Sequence, residues 1–395
     1  MSLDVAATAA QVSTMAQQLA AHAARMKPVP DFARALLAQW HASHAEAVAY
    51  LEGQEQAGVW PFAIPIEPML TVRRVPAEPV AYAVVAADGS QIDVDSHGLV
   101  HCCLVNVGWA AIAYGDRPDA WLANEPAVLH EDRELFVEAD DGMREASESQ
   151  LSMLRTVAEM ERLALVAEAW RDRPGLVAIA DGNLVRWELG GKKPSASSAA
   201  LLHRYLGALA QLRAARIPVC GYISRPNARD VANTAALLAV RDCDRGKRAV
   251  CDRCAGRGDR LCESLRVLPD RDLFPHVRVG ECTGLFRTPA TVLQHYAPDD
   301  RIVFCYLRTA EEMARIELPA WCTGKQELNA ILSAVYGQCL RGHGYPVALM
   351  EAHEQAVIHT GGREAFRQLV LAALNENQLE AAISSKRLSK DQRAV

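Results

Sequence analysis

Two acid–glycine pairs offer the plainest chemistry in this chain: Asp88-Gly89-Ser90 and Asp181-Gly182-Asn183. Each follows a short apolar run, residues 81–87 before the first and 175–180 before the second. A buried strand that ends on an acid and a glycine holds the carboxylate at a sheet edge while the backbone turns away. Two such strands side by side would bring two carboxylates to one end of a sheet. That is a standard way to hold divalent ions, Mn²⁺ or Mg²⁺, over a phosphate. Asp-Gly is also an ordinary turn dipeptide, and either pair taken alone reads equally well as a turn.

Metal-assisted phosphodiester hydrolysis needs further ligands, and two helical segments offer them. The segment 145–171 carries Glu159, Glu161 and Glu168 beside an apolar stripe of Leu151, Leu154, Val157, Met160 and Leu163. Set against Leu154, Val157 and Leu165, Glu161 falls nearer the apolar face and is favoured over Glu159; both also read as solvated helix charges. Gly344-Tyr345-Pro346 starts a second helix, on which His353 stands beside Ala352, Ala356 and Val357. His353 is a candidate fourth ligand or a general acid/base, against the common reading of a hydrogen-bonded core histidine.

Two other clusters have chemical character. Cys243, Cys251, Cys254 and Cys262 fall in one glycine-containing loop with a Cys-x-x-Cys at its centre. Such spacing suits a structural Zn²⁺ site or an iron–sulfur cluster, the plain alternative being a loop with free thiols. Arg225, Arg229, Arg241, Arg245, Lys247 and Arg248 follow the third long strand, a placement that suits a DNA backbone path if these cations are not merely solvated. No Gly-x-x-x-x-Gly-Lys loop or dinucleotide fingerprint occurs, which argues against an NTPase or a dehydrogenase.

The elements that must position these residues follow from the hydrophobic pattern. Residues 1–79 are expected to form a helical N-terminal extension, with helices to about residue 55 and a proline-rich arm over 61–79. Three consecutive strands are expected at 81–87, 91–95 and 99–113, turning at Asp88-Gly89 and at Ser96-His97-Gly98. Then come the helix 145–171, the Asp181 strand, a helix over 198–216 and the strand 218–224. Meander, helix, strand, helix, strand is the order of an RNase H-like α/β core with a mixed sheet and flanking helices. Residues 241–272 read as a Cys-rich insertion, 301–307 and 315–318 as a hairpin, and 325–339, 349–358 and 363–381 as closing helices. Residues 80–360 would form the main domain and 361–395 a C-terminal helix with a basic tail.

Bulk properties agree with an enzyme of this kind. With 395 residues, 50% of them hydrophobic, the chain can bury one large core or two ordinary ones. A net charge of −6 excludes a basic nucleic-acid-coating protein but not a metal-dependent nuclease, whose cations supply positive charge to the phosphates. No apolar run approaches the ~20 residues of a membrane span, and Met1-Ser2-Leu3-Asp4 lacks a secretory start. Eleven cysteines, with Cys220 and Cys305 on apparent core strands, point to a reducing compartment; the expected location is cytoplasmic.

Five segments together resemble the NurA nuclease family in its bacterial form: Ala86-Ala87-Asp88-Gly89-Ser90-Gln91, Ala180-Asp181-Gly182-Asn183-Leu184, Gly221-Tyr222-Ile223-Ser224-Arg225-Pro226, Arg315-Ile316-Glu317-Leu318-Pro319-Ala320-Trp321, and Gly344-Tyr345-Pro346 leading to Glu351-Ala352-His353. The resemblance implies an RNase H-like core and a manganese-dependent 5′-to-3′ DNA exonuclease with single-strand endonuclease activity. It also implies a homodimer around a DNA channel, and partnership with a HerA-type hexameric ATPase in DNA-end processing and repair. By that resemblance Asp88, Asp181 and His353 match metal-binding positions and Tyr345 matches a tyrosine needed for activity. Ser224-Arg225-Pro226 stands where many relatives have Lys-Arg-Pro, so either Arg225 supplies the phosphate-contacting cation or that role is weakened.

The expected active site is therefore Asp88, Glu161, Asp181 and His353 around one or two Mn²⁺ or Mg²⁺ ions, with Arg225 on the phosphate and Tyr345 positioning the nucleic acid. Two other functions fit the same pattern: a non-catalytic DNA-binding scaffold of a translocase complex, and an RNase H-like ribonuclease.

Overall fold

The computed structural model describes residues 4–26, 29–55, 61–93, 102–131, 136–139, 142–145, 148–189, 195–241 and 261–377. The chain opens with α1 (Val5–Met26), α2 (Val29–Ala42) and α3 (His44–Glu52), then two short strands, β1 (Ile64–Pro65) and β2 (Val72–Arg74). A meander follows: β3 (Tyr82–Ile92), β4 (Cys103–Tyr114) and β5 (Asp119–Leu129), with a small separate hairpin of β6 (Phe136–Ala139) and β7 (Gly142–Glu145). Helix and strand then alternate through α4 (Glu148–Ala169), β8 (Val177–Asp181), α5 (Ala196–Ala214), β9 (Val219–Ile223), α6 (Asp230–Ala239) and α7 (Leu261–Arg266). The last part contains β10 (Glu281–Thr283), β11 (Phe286–Arg287), β12 (Ile302–Arg308) and β13 (Met313–Pro319), closed by α8 (Lys325–Arg341), α9 (Val347–Ala356) and α10 (Thr360–Glu376).

One mixed sheet organises these elements, in the order β1-β11-β12-β13-β9-β8-β3-β4-β5, with β10 attached to β12 and β2 to β10. β3 lies parallel to β8 and β8 parallel to β9, whereas β4 and β5 run antiparallel to their neighbours. Strand alternation divides the core. Ala83, Val85 and Ala87 face a layer that includes Val157, Met160 and Leu163 of α4 and Tyr205 and Leu209 of α5. Tyr82, Val84 and Ala86 face Leu332 and Val335 of α8 and Ala348 and Ala352 of α9. A third cluster joins Ala33, Leu37 and Leu51 to Leu237, Leu265 and Phe304, so the N-terminal helices share a core with the β12 end of the sheet. The stretch expected as a free arm, 61–79, instead contributes β1 and β2, paired with β11 and β10.

The expected turn at Asp88-Gly89 is not there. β3 continues through both residues to Ile92 because β4 pairs with it along its whole length, Asp88 opposite Gly108 and Ile92 opposite Leu104. An unbroken antiparallel ladder outweighs the local turn tendency of the dipeptide. What stops at residue 87 is the parallel pairing with β8, whose last register pair is Ala87 with Ala180. The strands expected at 81–87 and 91–95 are thus one strand, the turn expected at residues 96–98 lies outside the described residues, and the third meander strand is β5.

Gly108 decides how closely α9 approaches the sheet. A Cβ added there would sit 2.6 Å from the Ala352 carbonyl oxygen and against the backbone nitrogen of Ala356. Backbone on both sides cannot yield like a flexible side chain. Gly108→Ala is therefore expected to destabilise the protein by about 2–3 kcal/mol or to lift α9 off the sheet. Urea unfolding reads the first outcome directly; an unchanged midpoint would overturn the role given to Gly108.

Candidate active site

The pleat of β3 sends Asp88 to the α9 face and Gly89 to the α4 face, by the same alternation that sorts the core. On the α9 face the Asp88 carboxylate accepts two hydrogen bonds, from His353 Nδ1 at 2.7 Å and from the Gly89 backbone N–H at 2.7 Å. With Nδ1 protonated toward Asp88, His353 turns Nε2 outward, and its side chain is 62% exposed. The C-terminal turn of α9 is tied to the meander by a cross-strand pair: Ser90 Oγ and Asn106 Nδ2 both donate to the Ala356 carbonyl. Those bonds hold α9 in the register that puts His353 over Asp88.

Asp181 ends β8 on the same face, beside Asp88 because the two strands are parallel and in register up to Ala87 and Ala180. Gly182, at φ +82°, then turns the chain sharply. The Tyr345 hydroxyl donates to Asp181 Oδ1 at 3.1 Å, and its ring packs edge-on against Tyr222 at 5.3 Å between centroids. Tyr222 is anchored in turn by donating to Glu312 at 2.7 Å. Burial, then the Asp88 charge, push the Asp181 carboxyl above the usual range. Burial and the neighbouring Asp181 push the Tyr345 phenol up as well, which keeps it a hydrogen-bond donor.

Behind the two aspartates stands Glu159, not Glu161. A Cβ on Gly89 would collide with Glu159 and with the Cγ of Arg155, so the glycine provides the room that this glutamate occupies. Buried Glu159 Oε1 is ion-paired with Arg155 Nε at 3.1 Å, without an aligned hydrogen bond, and the side chain is 15% exposed. Its carboxyl is pushed up to about 7, first by burial, with the Asp88 and Asp181 charges adding to it against the pull of Arg155. Glu161 points away from this cluster and forms a two-pronged pair with Arg204 of α5, at 2.8 and 2.7 Å. Leu165, a marker of the buried face in the sequence pattern, is in fact 52% exposed. Glu159 and Glu161 lie about 100° to either side of Met160, so periodicity could not choose between them.

Arg225 lies at the same end of the sheet, three residues past Tyr222, the register partner of Asp181. Its backbone sits at φ +40°, with its N–H donating to Glu312 at 2.7 Å. Its side chain is exposed and forms no ion pair among the described residues. Of the other basic residues, Arg241 is taken up by Glu46 and stacks over Trp40, a structural role. Arg245, Lys247 and Arg248 lie outside the described residues, as do Cys243, Cys251, Cys254 and the side chain of Cys262.

Sequence reasoning saw no role for Arg315-Ile316-Glu317 beyond its place in a motif. Glu317 is fully buried; it accepts from the Leu184 N–H at 2.7 Å and the Val185 N–H at 3.3 Å, and from Arg315 Nε at 2.9 Å. It therefore clamps the loop that leaves Asp181. The Arg-x-Glu spacing on a strand, which places both side chains on one face, was the available signal.

As a donor set this cluster is hard and oxygen-rich with one imidazole, which suits Mn²⁺ or Mg²⁺. Three carboxylates, the Asp88 charge raising the pKa of both Asp181 and Glu159 against the pull of Arg155 on Glu159, form a donor set that a divalent cation would stabilise. Among the described residues, however, no three ligand side chains are already arranged around one point; His353 and Tyr345 bond Asp88 Oδ2 and Asp181 Oδ1.

Nor is any described helix long and apolar enough to cross a membrane. The family model described as the NurA domain matches residues 82–358, more than half of the chain, from the start of β3 to just beyond α9. No curated protein matches the chain.

Proposed function

The chain belongs to the NurA family, a nuclease-related family, and from that premise we propose that it is a divalent-metal-dependent DNA nuclease. The observation that carries this reading is the convergence of Asp88, Asp181 and Glu159 at one end of two parallel strands, faced by His353 and Tyr345. The strand order β5-β4-β3-β8-β9, an antiparallel meander extended by two parallel strands, supports an RNase H-like core.

Asp88, Asp181, Glu159 and His353 would hold the ions, Glu159 taking the part that the sequence suggested for Glu161. When bound, Mn²⁺ or Mg²⁺ lowers the pKa of a water to supply the attacking hydroxide and stabilises the leaving oxygen. The chain's own residues do the rest. Asp88 accepts the Nδ1 proton of His353 and so presents Nε2 to the site; Tyr345 keeps its proton and orients Asp181. Exposed Arg225 neutralises phosphate charge as it builds up. The substrate is DNA, in 5′-to-3′ exonuclease and single-strand endonuclease modes, with a homodimer and a HerA-type hexameric ATPase as the partners.

The test is digestion of labelled linear single- and double-stranded DNA by the full chain. Chelation with EDTA is expected to stop cleavage entirely, and Mn²⁺ added in excess to restore it. Cleavage that persists in EDTA, or none with any divalent ion, would overturn the assignment.

A further inference from the structure

Next to the acids, on the β9 side, runs a groove of about 510 Å³ lined in part by Asn183, Trp187, Ile223, Pro226, Asn227 and Arg229. It borders the site through Asn183, two residues past Asp181, which lines both this groove and the small pocket that Asp181 and Glu159 share. Its size is within the range of small-ligand clefts. Trp187 is its distinctive feature, a large aromatic side chain left 39% exposed. The backbone that carries this indole is firmly held. Leu184 and Val185 donate to the buried Glu317, Arg186 N–H donates to the Tyr296 hydroxyl at 3.1 Å, and Trp187 N–H donates to the Val185 carbonyl at 3.1 Å.

Charge around the groove is also arranged. Arg315 and Asp230, both lining it, are buried against each other, and Arg315 also pairs with Glu317 beneath, so no cation is free in the floor. Arg229, part of the lining, is exposed and without an ion pair among the described residues, and exposed Arg225 directly precedes Pro226 of the lining. A floor without a free cation, an aromatic wall and a cationic rim match a nucleotide: planar uncharged base inside, phosphate outside.

We propose that this groove seats one nucleobase of single-stranded DNA, stacked on Trp187, next to the phosphodiester held at Asp88 and Asp181. The proposal builds on the nuclease reading for its substrate, but it concerns binding, and binding can be measured without cleavage. Stacking on a rigid aromatic is tolerant of sequence, so the groove would favour an unpaired strand without selecting a base.

The test is metal-free binding in EDTA of a labelled single-stranded oligodeoxynucleotide of about 12 nucleotides, followed by fluorescence anisotropy. Trp187→Ala is expected to weaken binding about tenfold, and Trp187→Phe, which keeps a ring, by less than about threefold. An abasic oligomer of the same length should bind wild type and Trp187→Ala equally. If Trp187→Ala binds the intact oligomer as tightly as wild type, or loses the same factor on the abasic one, the base subsite is refuted. A change of oligomeric state in Trp187→Ala without base-dependent loss would mark Trp187 as an interface residue and likewise refute it. Should the protein fail to cleave DNA with any metal yet show the base-dependent loss, the nuclease reading falls and the subsite stands.

Discussion

Asp88→Asn is expected to lower DNA cleavage by about a thousandfold or more while leaving the fold intact. Asp88 is asked to do two things: supply a negatively charged metal ligand and fix the tautomer and direction of His353 through the 2.7 Å bond to Nδ1. An asparagine keeps the shape but loses the charge, and its amide can present a donor where His353 needs an acceptor. Stability should barely change, because β3 is held by its ladder with β4 and because one of three mutually repelling carboxylates has gone. Cleavage of a linear duplex in Mn²⁺, read beside circular dichroism and urea unfolding, separates loss of chemistry from loss of fold. Wild-type rates in a folded Asp88→Asn protein would remove this site from the reaction.

The second large effect distinguishes two glutamates that are two residues apart. Glu159→Gln is expected to reduce cleavage about a hundredfold or more, and Glu161→Gln to leave it within about threefold. Glu161 is a partly exposed partner of Arg204, a kind of pair worth at most about 1 kcal/mol. Glu159 stands against Gly89 behind both aspartates.

Glu159 also makes a stability prediction with a definite sign. Its carboxyl is raised from 4.5 to about 7 in the folded protein, so between those values the native state holds a proton that the unfolded chain has released. Stability of the metal-free protein therefore falls as pH rises through that window, and the cost is complete above it. Glu159→Gln should remove this cost, raising the melting temperature of the metal-free protein at about pH 8 by the equivalent of up to about 3 kcal/mol and changing little near pH 5. Mn²⁺ should stabilise wild type at about pH 8 and the Glu159→Gln variant much less. A variant less stable than wild type at alkaline pH would show that the Glu159 charge is compensated by a contact within the protein, and a metal role would lose its support. Together these measurements set a local cost in stability against a gain in function, as is usual for groups held ready for an absent ligand.

Much of this was legible in one dimension. The strands that bring Asp88 and Asp181 side by side could be read because each acid follows an apolar run long enough to be a buried strand. His353 and Tyr345 could be read from a proline-started helix and from the motifs around them. The 302–319 hairpin and the helices that follow it matched their hydrophobic periods.

Other features depended on contacts between residues far apart in the chain. Asp88-Gly89 has every local mark of a turn, yet it lies within an eleven-residue strand because β4 supplies partners on both sides of it. Glu159 and Glu161 flank one helical stripe symmetrically; only the way α4 lies across β3 and β8, with room left by Gly89, sends one to the acids and the other to Arg204. Likewise Gly108 and Trp187 carry no signal in their own neighbourhoods, since what each touches lies on a different element. Residue type and spacing thus determined which acids this chain could offer and which strands would carry them. The tertiary structure decided which side chains meet, because period and propensity describe a segment's own faces, whereas a site is made where the faces of several segments converge.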